Sequence, residues 1–174
     1  KTSLDWTRQM TCVISRWIRR HWILVGDGAY ACMDLTLTCI RLNVALVSRL
    51  RLDAQLFDFP VLEKKKLGRK PVKGKRIQLK ELLNAPKQSW QIDTVDWYGG
   101  ELRQIEYLTF TCLWYHAGFS PATLRIVLVK TPGGKNEAEA FFSTDINLNP
   151  TKIIRYFVLR WNIEVTFEET RAHL

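Results

Sequence analysis

The chain has 174 residues, 47% of them hydrophobic, and a formal net charge of +9 from 26 Lys and Arg against 17 Asp and Glu. That apolar share excludes global disorder, and the length suffices for one substantial core or one domain carrying an insertion. No run approaches the roughly 20 apolar residues of a membrane span, and the opening residues lack the pattern of a signal peptide, so the expectation is a soluble, cytoplasmic protein with no membrane partner.

Residues 4–20 predict a helix. Met10, Val13, Ile14, Trp17 and Ile18 fall at the i, i+3, i+4, i+7, i+8 spacing of a buried stripe, and Arg8, Arg16, Arg19 and Arg20 make the outer face. Trp22, Ile23, Leu24 and Val25 then form a short apolar run ending at Gly26-Asp27-Gly28, which reads as a buried strand delivering an aspartate at its C-terminal end. Open α/β sheets place their chemistry at such ends, although an aspartate between glycines also suits a plain turn. A weaker helical stretch covers residues 29–40. Leu50, Leu52, Ala54 and Leu56 alternate with Arg49, Arg51, Asp53 and Gln55 and predict a second strand. Strand, helix, strand in that order favours an α/β sheet.

Residues 64–76 hold eight cations and no acid, so the remaining residues together carry only +1. Gly68, Pro71 and Gly74 punctuate the run and predict a loop. Its natural partner is a polyanion, with Lys73, Lys75 and Arg76 as nucleic-acid contacts; a solvated loop or an acidic protein partner are the alternatives. Beyond a short segment near residues 77–83, strands are expected at 90–98, 103–115, 124–129 and 140–144, with Gly99-Gly100 and Pro132-Gly133-Gly134 as turns. This block reads as a mostly antiparallel β insertion.

Asn149-Pro150 supplies an N-cap and a first helical residue. On the helix that follows, Phe157, Arg160, Glu164 and Arg171 share one face at about 100° per residue, opposite an apolar stripe of Ile154, Val158, Trp161 and Val165. A carboxylate flanked by guanidiniums suits a metal site that handles phosphodiesters; the ordinary alternative is an i,i+4 ion pair on a solvated helix. Cys12, Cys32, Cys39 and Cys112 contain no C-x-x-C pair, and His21, His116 and His173 lie far apart, so neither a zinc site nor a disulfide framework is expected. The cysteines read as small hydrophobes. Carboxylates therefore have to hold any metal, which points to magnesium or manganese.

A strand-end carboxylate, a helix carboxylate backed by arginines, a β insertion between them and a concentrated basic loop together resemble the DDE transposases of bacterial insertion sequences. The most specific element is the run from Leu159 to Glu164 with Arg171 beyond it, which looks like that family's tyrosine, arginine, glutamate, lysine signature helix. Arg160 stands four residues before Glu164 and Arg171 seven after it, as in the signature. Two positions depart: Phe157 occupies the tyrosine's place, with Tyr156 one residue earlier, and Arg171 replaces the lysine. Phenylalanine has no hydroxyl to give a phosphate, and arginine changes a point donor into a planar fork.

The resemblance implies a partial ribonuclease-H-like α/β core interrupted by a mostly antiparallel β insertion, divided as residues 1–59, 60–144 and 145–174. It implies magnesium- or manganese-dependent endonuclease and strand-transfer activity on double-stranded DNA, in a dimer on DNA. Asp27 and Glu164 would be catalytic metal ligands; Arg160, Arg171 and Tyr156 would contact DNA. It places the family's first catalytic aspartate upstream of this chain, so the chain alone should bind DNA and cut it weakly. Members with such an insertion stack a flipped base on an insertion aromatic. Trp97 beside Gly99-Gly100 is the first candidate, ahead of Tyr98 and Trp90, all of which are equally suited to core packing; Trp114 and Tyr115 read as core. A non-enzymatic DNA-binding protein derived from a transposase is the alternative, and a structural or protein-interaction domain the third reading.

Overall fold

The computed structural model describes residues 1–61, 70–85, 88–130 and 138–173. In chain order the elements are helix α1 (Ser3–Trp17), strand β1 (Trp22–Gly26), a 3-10 turn (Gly28–Tyr30), α2 (Met33–Arg41), β2 (Val44–Leu50), β3 (Leu56–Phe57), β4 (Arg76–Ile77) and α3 (Leu79–Asn84). There follow β5 (Gln91–Asp96), a second 3-10 turn (Tyr98–Gly100), β6 (Leu102–Trp114), β7 (Ala122–Lys130), β8 (Ala138–Ser143), α4 (Pro150–Leu159) and α5 (Trp161–His173).

The eight strands among the described residues join one sheet in the order β1-β2-β8-β7-β6-β3-β4, with β5 also paired to β6. Only β1 and β2 are parallel, in register from Trp22 opposite Val44 to Gly26 opposite Ser48; the other ladders are antiparallel. The fold is mixed α/β with a mostly antiparallel sheet. On one face α2 packs Leu35 and Cys39 over Leu46, Leu124 and Leu128. On the other, α4 packs Ile153, Ile154, Phe157 and Val158 over Val47, Val127 and Phe141. Burial between such layers pushes the Cys39 and Cys112 thiols up to about 12, and all four cysteines are free, as small hydrophobes would be.

The second strand differs from expectation. It is β2, Val44–Leu50, whose first four residues are buried on both faces and therefore continuously apolar rather than alternating. Residues 51–54 make a turn, closed by the Ala54 N–H donating to the Arg51 carbonyl at 3.1 Å and by an Arg51 to Asp53 ion pair at 2.8 Å. Asn43 precedes β2 at φ 56°, the left-handed conformation that ends a helix sharply. The β5–β6 turn uses Gly99 and Gly100 at φ 76° and 78°, where a Cβ is disfavoured. Residues 131–137, with the turn expected at Pro132, and residues 62–69 of the basic region lie outside the described residues.

Helix α1 begins on a capping box: the Asp5 N–H donates to Thr2 Oγ1 at 3.3 Å, and the Thr2 N–H donates to the Asp5 carboxylate at 2.8 Å. Its expected buried stripe is not buried. Thr11 is its sole buried residue, while Met10 is 58% and Trp17 77% exposed. The helix rests on α2, with Arg8 reaching Asp34 at 3.9 Å, so the side away from α2 keeps its apolar residues in solvent.

The final helix is interrupted. Asn149 accepts the Thr151 N–H at 2.9 Å and Pro150 opens α4 as expected, but at Arg160 the backbone tightens, its N–H donating to the Phe157 carbonyl at 3.3 Å. Beyond it α5 has no buried residue, and Trp161 is 37% exposed. The apolar stripe therefore ends at Val158, where the chain leaves the sheet. Among the described residues no helix is long and apolar enough to cross a membrane.

Candidate functional site

Asp27 follows β1 directly and caps the 3-10 turn, its carboxylate accepting the Gly28 N–H. Ser48 Oγ on β2 donates to the Asp27 carbonyl at 2.9 Å, tying the strand end down while the side chain faces solvent. The parallel register brings Asp27 beside Arg49, and the antiparallel β2–β8 register brings Glu139 to the same end of the sheet. These residues line one open cleft with Gly28, Leu50 and Ala140. Across it Arg49 Nη1 donates to Glu139 Oε1 at 3.2 Å.

The β5–β6 hairpin tip reaches toward this cleft. Trp97 packs against Tyr98 with centroids 5.3 Å apart, the Arg103 guanidinium lies 4.9 Å from the Trp97 ring, and Tyr98 meets Trp161 edge-on at 5.8 Å. Burial pushes the Tyr98 phenol up from its ordinary pKa; Glu139 and Glu164 add to that, and Arg160 and Arg49 oppose it. Tyr98 thus stands in the field of both the Arg49–Glu139 pair and the Arg160–Glu164 pair. Trp97, the first stacking candidate, is half-buried and already stacked by Arg103.

Arg160 and Glu164 form an i,i+4 ion pair, Nη1 donating to Oε1. Arg160 is mostly buried, its guanidinium 5.2 Å from the Phe157 ring, whereas the Glu164 side chain is 43% exposed. Phe157, Arg160 and Glu164 stand side by side, but the start of that face is buried. Phe157 is a core residue with its ring 4.9 Å from that of Phe141, because α4 must turn its apolar side to the sheet. Tyr156 is half-buried against the same cluster, and Arg171 is exposed near the end of α5.

The described part of the basic segment lies elsewhere. Lys73 Nζ sits 3.8 Å from the Phe57 ring and 4.5 Å from that of Tyr115. The Asp58 N–H donates to the Lys75 carbonyl and the Gly74 N–H to the Asp58 carbonyl, both at 2.8 Å, and a Cβ at Gly74 would stand 2.6 Å from the Phe59 carbonyl oxygen. Gly74 thereby lets Lys75 and Arg76 be held along the far edge. Strand β4 lies six positions from β1, roughly 29 Å at the usual strand spacing, so Lys73, Lys75 and Arg76 are not brought to Asp27.

A carboxylate-bound divalent cation needs several ligands gathered at one point. Among the described residues no group of three or more His, Cys, Asp or Glu side chains is so placed. The carboxylates of Glu139 and Glu164 are matched by guanidiniums instead, so the residues present do not fit a three-carboxylate metal site. Arg49 and Glu139 were not singled out from the sequence: they become neighbours only through strand register, which leaves no local spacing signal. No protein-family model matches this chain, and no curated protein matches it.

Proposed function

We propose that this chain binds double-stranded DNA as part of an insertion-sequence DDE transposase, with β1, β2 and α4 belonging to a partial ribonuclease-H-like core. The observation that carries the reading is the open cleft at the end of β1, which Asp27 lines together with the Arg49–Glu139 pair. In this reading Arg49, Arg160 and Arg171 contact phosphates, and the protein acts as a dimer on DNA.

The test is fluorescence anisotropy with a labelled duplex across a salt series. Affinity should fall steeply with salt, and reversing Lys73, Lys75 and Arg76 to Glu should flatten the slope by about 0.9 for each phosphate no longer neutralised. Affinity that ignores both salt and charge reversal would overturn the DNA reading. Strong magnesium-dependent cleavage by this chain, abolished in Asp27→Ala, would overturn the need for an upstream carboxylate. The arginine pairing of Glu139 and Glu164 favours one second reading, a transposase-derived protein that binds DNA without cutting it. A full-length form inert with magnesium and manganese would establish that reading.

A further inference from the structure

Strand β6 is paired along only part of one edge. Its residues 102–107 face β5 and its residues 113–114 face β3 on that same side, so residues 108–112 have no partner strand there among the described residues. The flanking bonds fix which peptide groups look into the gap. The Tyr115 N–H donates to the Gln55 carbonyl at 3.2 Å and the Trp97 N–H to the Glu101 carbonyl at 2.7 Å, so the odd-numbered residues of β6 send their backbone groups to this side. Thr109 and Thr111 each turn an N–H and a C=O into an opening that runs about 20 Å from Tyr107 to Leu113 at the usual rise of a strand.

A cleft of about 400 Å³ lies over this opening, within the range of small-ligand sites. Leu82, Leu108 and Phe110 line it with apolar surface, and Thr111 borders it at the strand edge. Lys75 and Arg76 border it too, and neither forms an ion pair among the described residues. Of the two acids there, Glu81 is occupied by the Gln78 amide, which leaves the Asp58 carboxylate as an acceptor.

Water meets such open strand-edge groups until a ligand that both donates and accepts displaces it. A passing strand is ill-suited, because β3 and β5 close the opening at both ends. The chain leading into β5 already turns away, the Trp90 N–H donating to the Gln88 carbonyl at 3.0 Å. A flat heterocycle suits the place better: its edge can accept from the Thr111 N–H and donate to the Thr111 carbonyl while its fused rings cover Phe110 and Leu82. A phosphate on the same molecule matches Lys75 and Arg76, and sugar hydroxyls match Asp58.

We propose that this cleft binds a purine nucleoside 5′-phosphate, free or at the end of a single strand, through the open edge of β6. The cleft is separate from Asp27, and the proposal does not rest on the DNA reading, although Lys75 and Arg76 would serve both.

The test follows the amide resonances of the isotope-labelled chain as adenosine 5′-monophosphate is added. The Thr109 and Thr111 amides should shift together and saturably, and ribose 5-phosphate, which lacks the base, should leave them unmoved. Arg76→Glu should raise the dissociation constant about tenfold; Lys75→Glu is the second variant, used if Arg76→Glu alters the folded spectrum. A short 5′-phosphorylated single strand of deoxyadenosines separates the two sources: tighter binding than the mononucleotide at these amides assigns the site to a strand end, weaker binding to the free nucleotide. Thr109 and Thr111 amides that ignore both probes would overturn the proposal, as would equal shifts with ribose 5-phosphate or an affinity untouched by both charge reversals. Duplex affinity and its salt slope report on the DNA reading instead, so either reading can fail alone.

Discussion

The Tyr98 ring meets the Trp161 ring edge-on, centroids 5.8 Å apart and planes at 67°, joining the tip of the β5–β6 hairpin to the first residue of α5. Since α5 has no buried residue of its own, this contact and the Arg160–Glu164 pair set its direction. Such an aromatic pair contributes about 0.5–1.5 kcal/mol beyond its area. Tyr98→Ala should therefore speed hydrogen exchange across α5 well beyond any change in α4, whose Ile153 and Phe157 remain packed. Equal acceleration in both helices would show that α5 is held by something else.

The Arg49–Glu139 pair is half-exposed, so breaking it should alter stability by less than about 1 kcal/mol. Its removal should matter more to nucleic-acid binding. Arg49→Ala is expected to lower duplex affinity and reduce the salt slope by about 0.9, the value for a single phosphate, and Glu139→Gln to leave affinity equal or higher by releasing the guanidinium. Matched denaturant melts and anisotropy titrations of the two variants check both halves.

Phe157 sits where the signature helix of DDE transposases has its tyrosine, and here it is fully buried against Phe141. Phe157→Ala should cost about 3–5 kcal/mol through the cavity it leaves. Phe157→Tyr should cost about 1–3 kcal/mol if its hydroxyl finds no partner. A Phe157→Tyr chain with unchanged urea midpoint would place that ring nearer solvent than the core packing allows.

The raised pKa of Tyr98 gives a stability change of known sign. The folded chain holds the phenol proton more tightly than the unfolded chain, so this contribution is complete below the unfolded value near pH 10 and is lost as pH rises through the folded value. Tyr107, Cys39 and Cys112 are shifted the same way by burial and titrate in the same alkaline range. The informative measurement is the difference between wild type and Tyr98→Phe: wild type should lose melting temperature more steeply above about pH 10. Parallel curves would remove Tyr98 from the set.

Local chemistry was legible wherever neighbours in sequence decide it. Asn149 with Pro150, and Gly99-Gly100, mark a helix start and a hairpin turn by hydrogen-bonding and backbone rules that operate over a few residues. The apolar run ending at Asp27 and the strands of the β block were readable for the same reason, since burial on one or both faces imposes its own periodicity. The alternation over Leu50 to Leu56 misled because a tight turn can imitate a strand's rhythm without pairing.

The site depended on what lies across the sheet. Arg49 and Glu139 meet because β2 pairs with β8 in one register, and a one-residue slip of either strand would put the two side chains on opposite faces. Likewise, the amphipathic patterns of α1 and of the final helix said which side is apolar, but not what would cover it. Burial is a property of the neighbouring element: α4 found the sheet and put Phe157 inside, α1 rests on α2 by its other side and leaves Trp17 in solvent, and α5 is held by Tyr98 alone among the described rings. Sequence by itself determined the helix start at Asn149, the hairpin turn at Gly99-Gly100, the basic segment and the carboxylate at the end of β1. Which charges face one another was decided only by tertiary structure, because long-range strand pairing, not local propensity, fixes those distances.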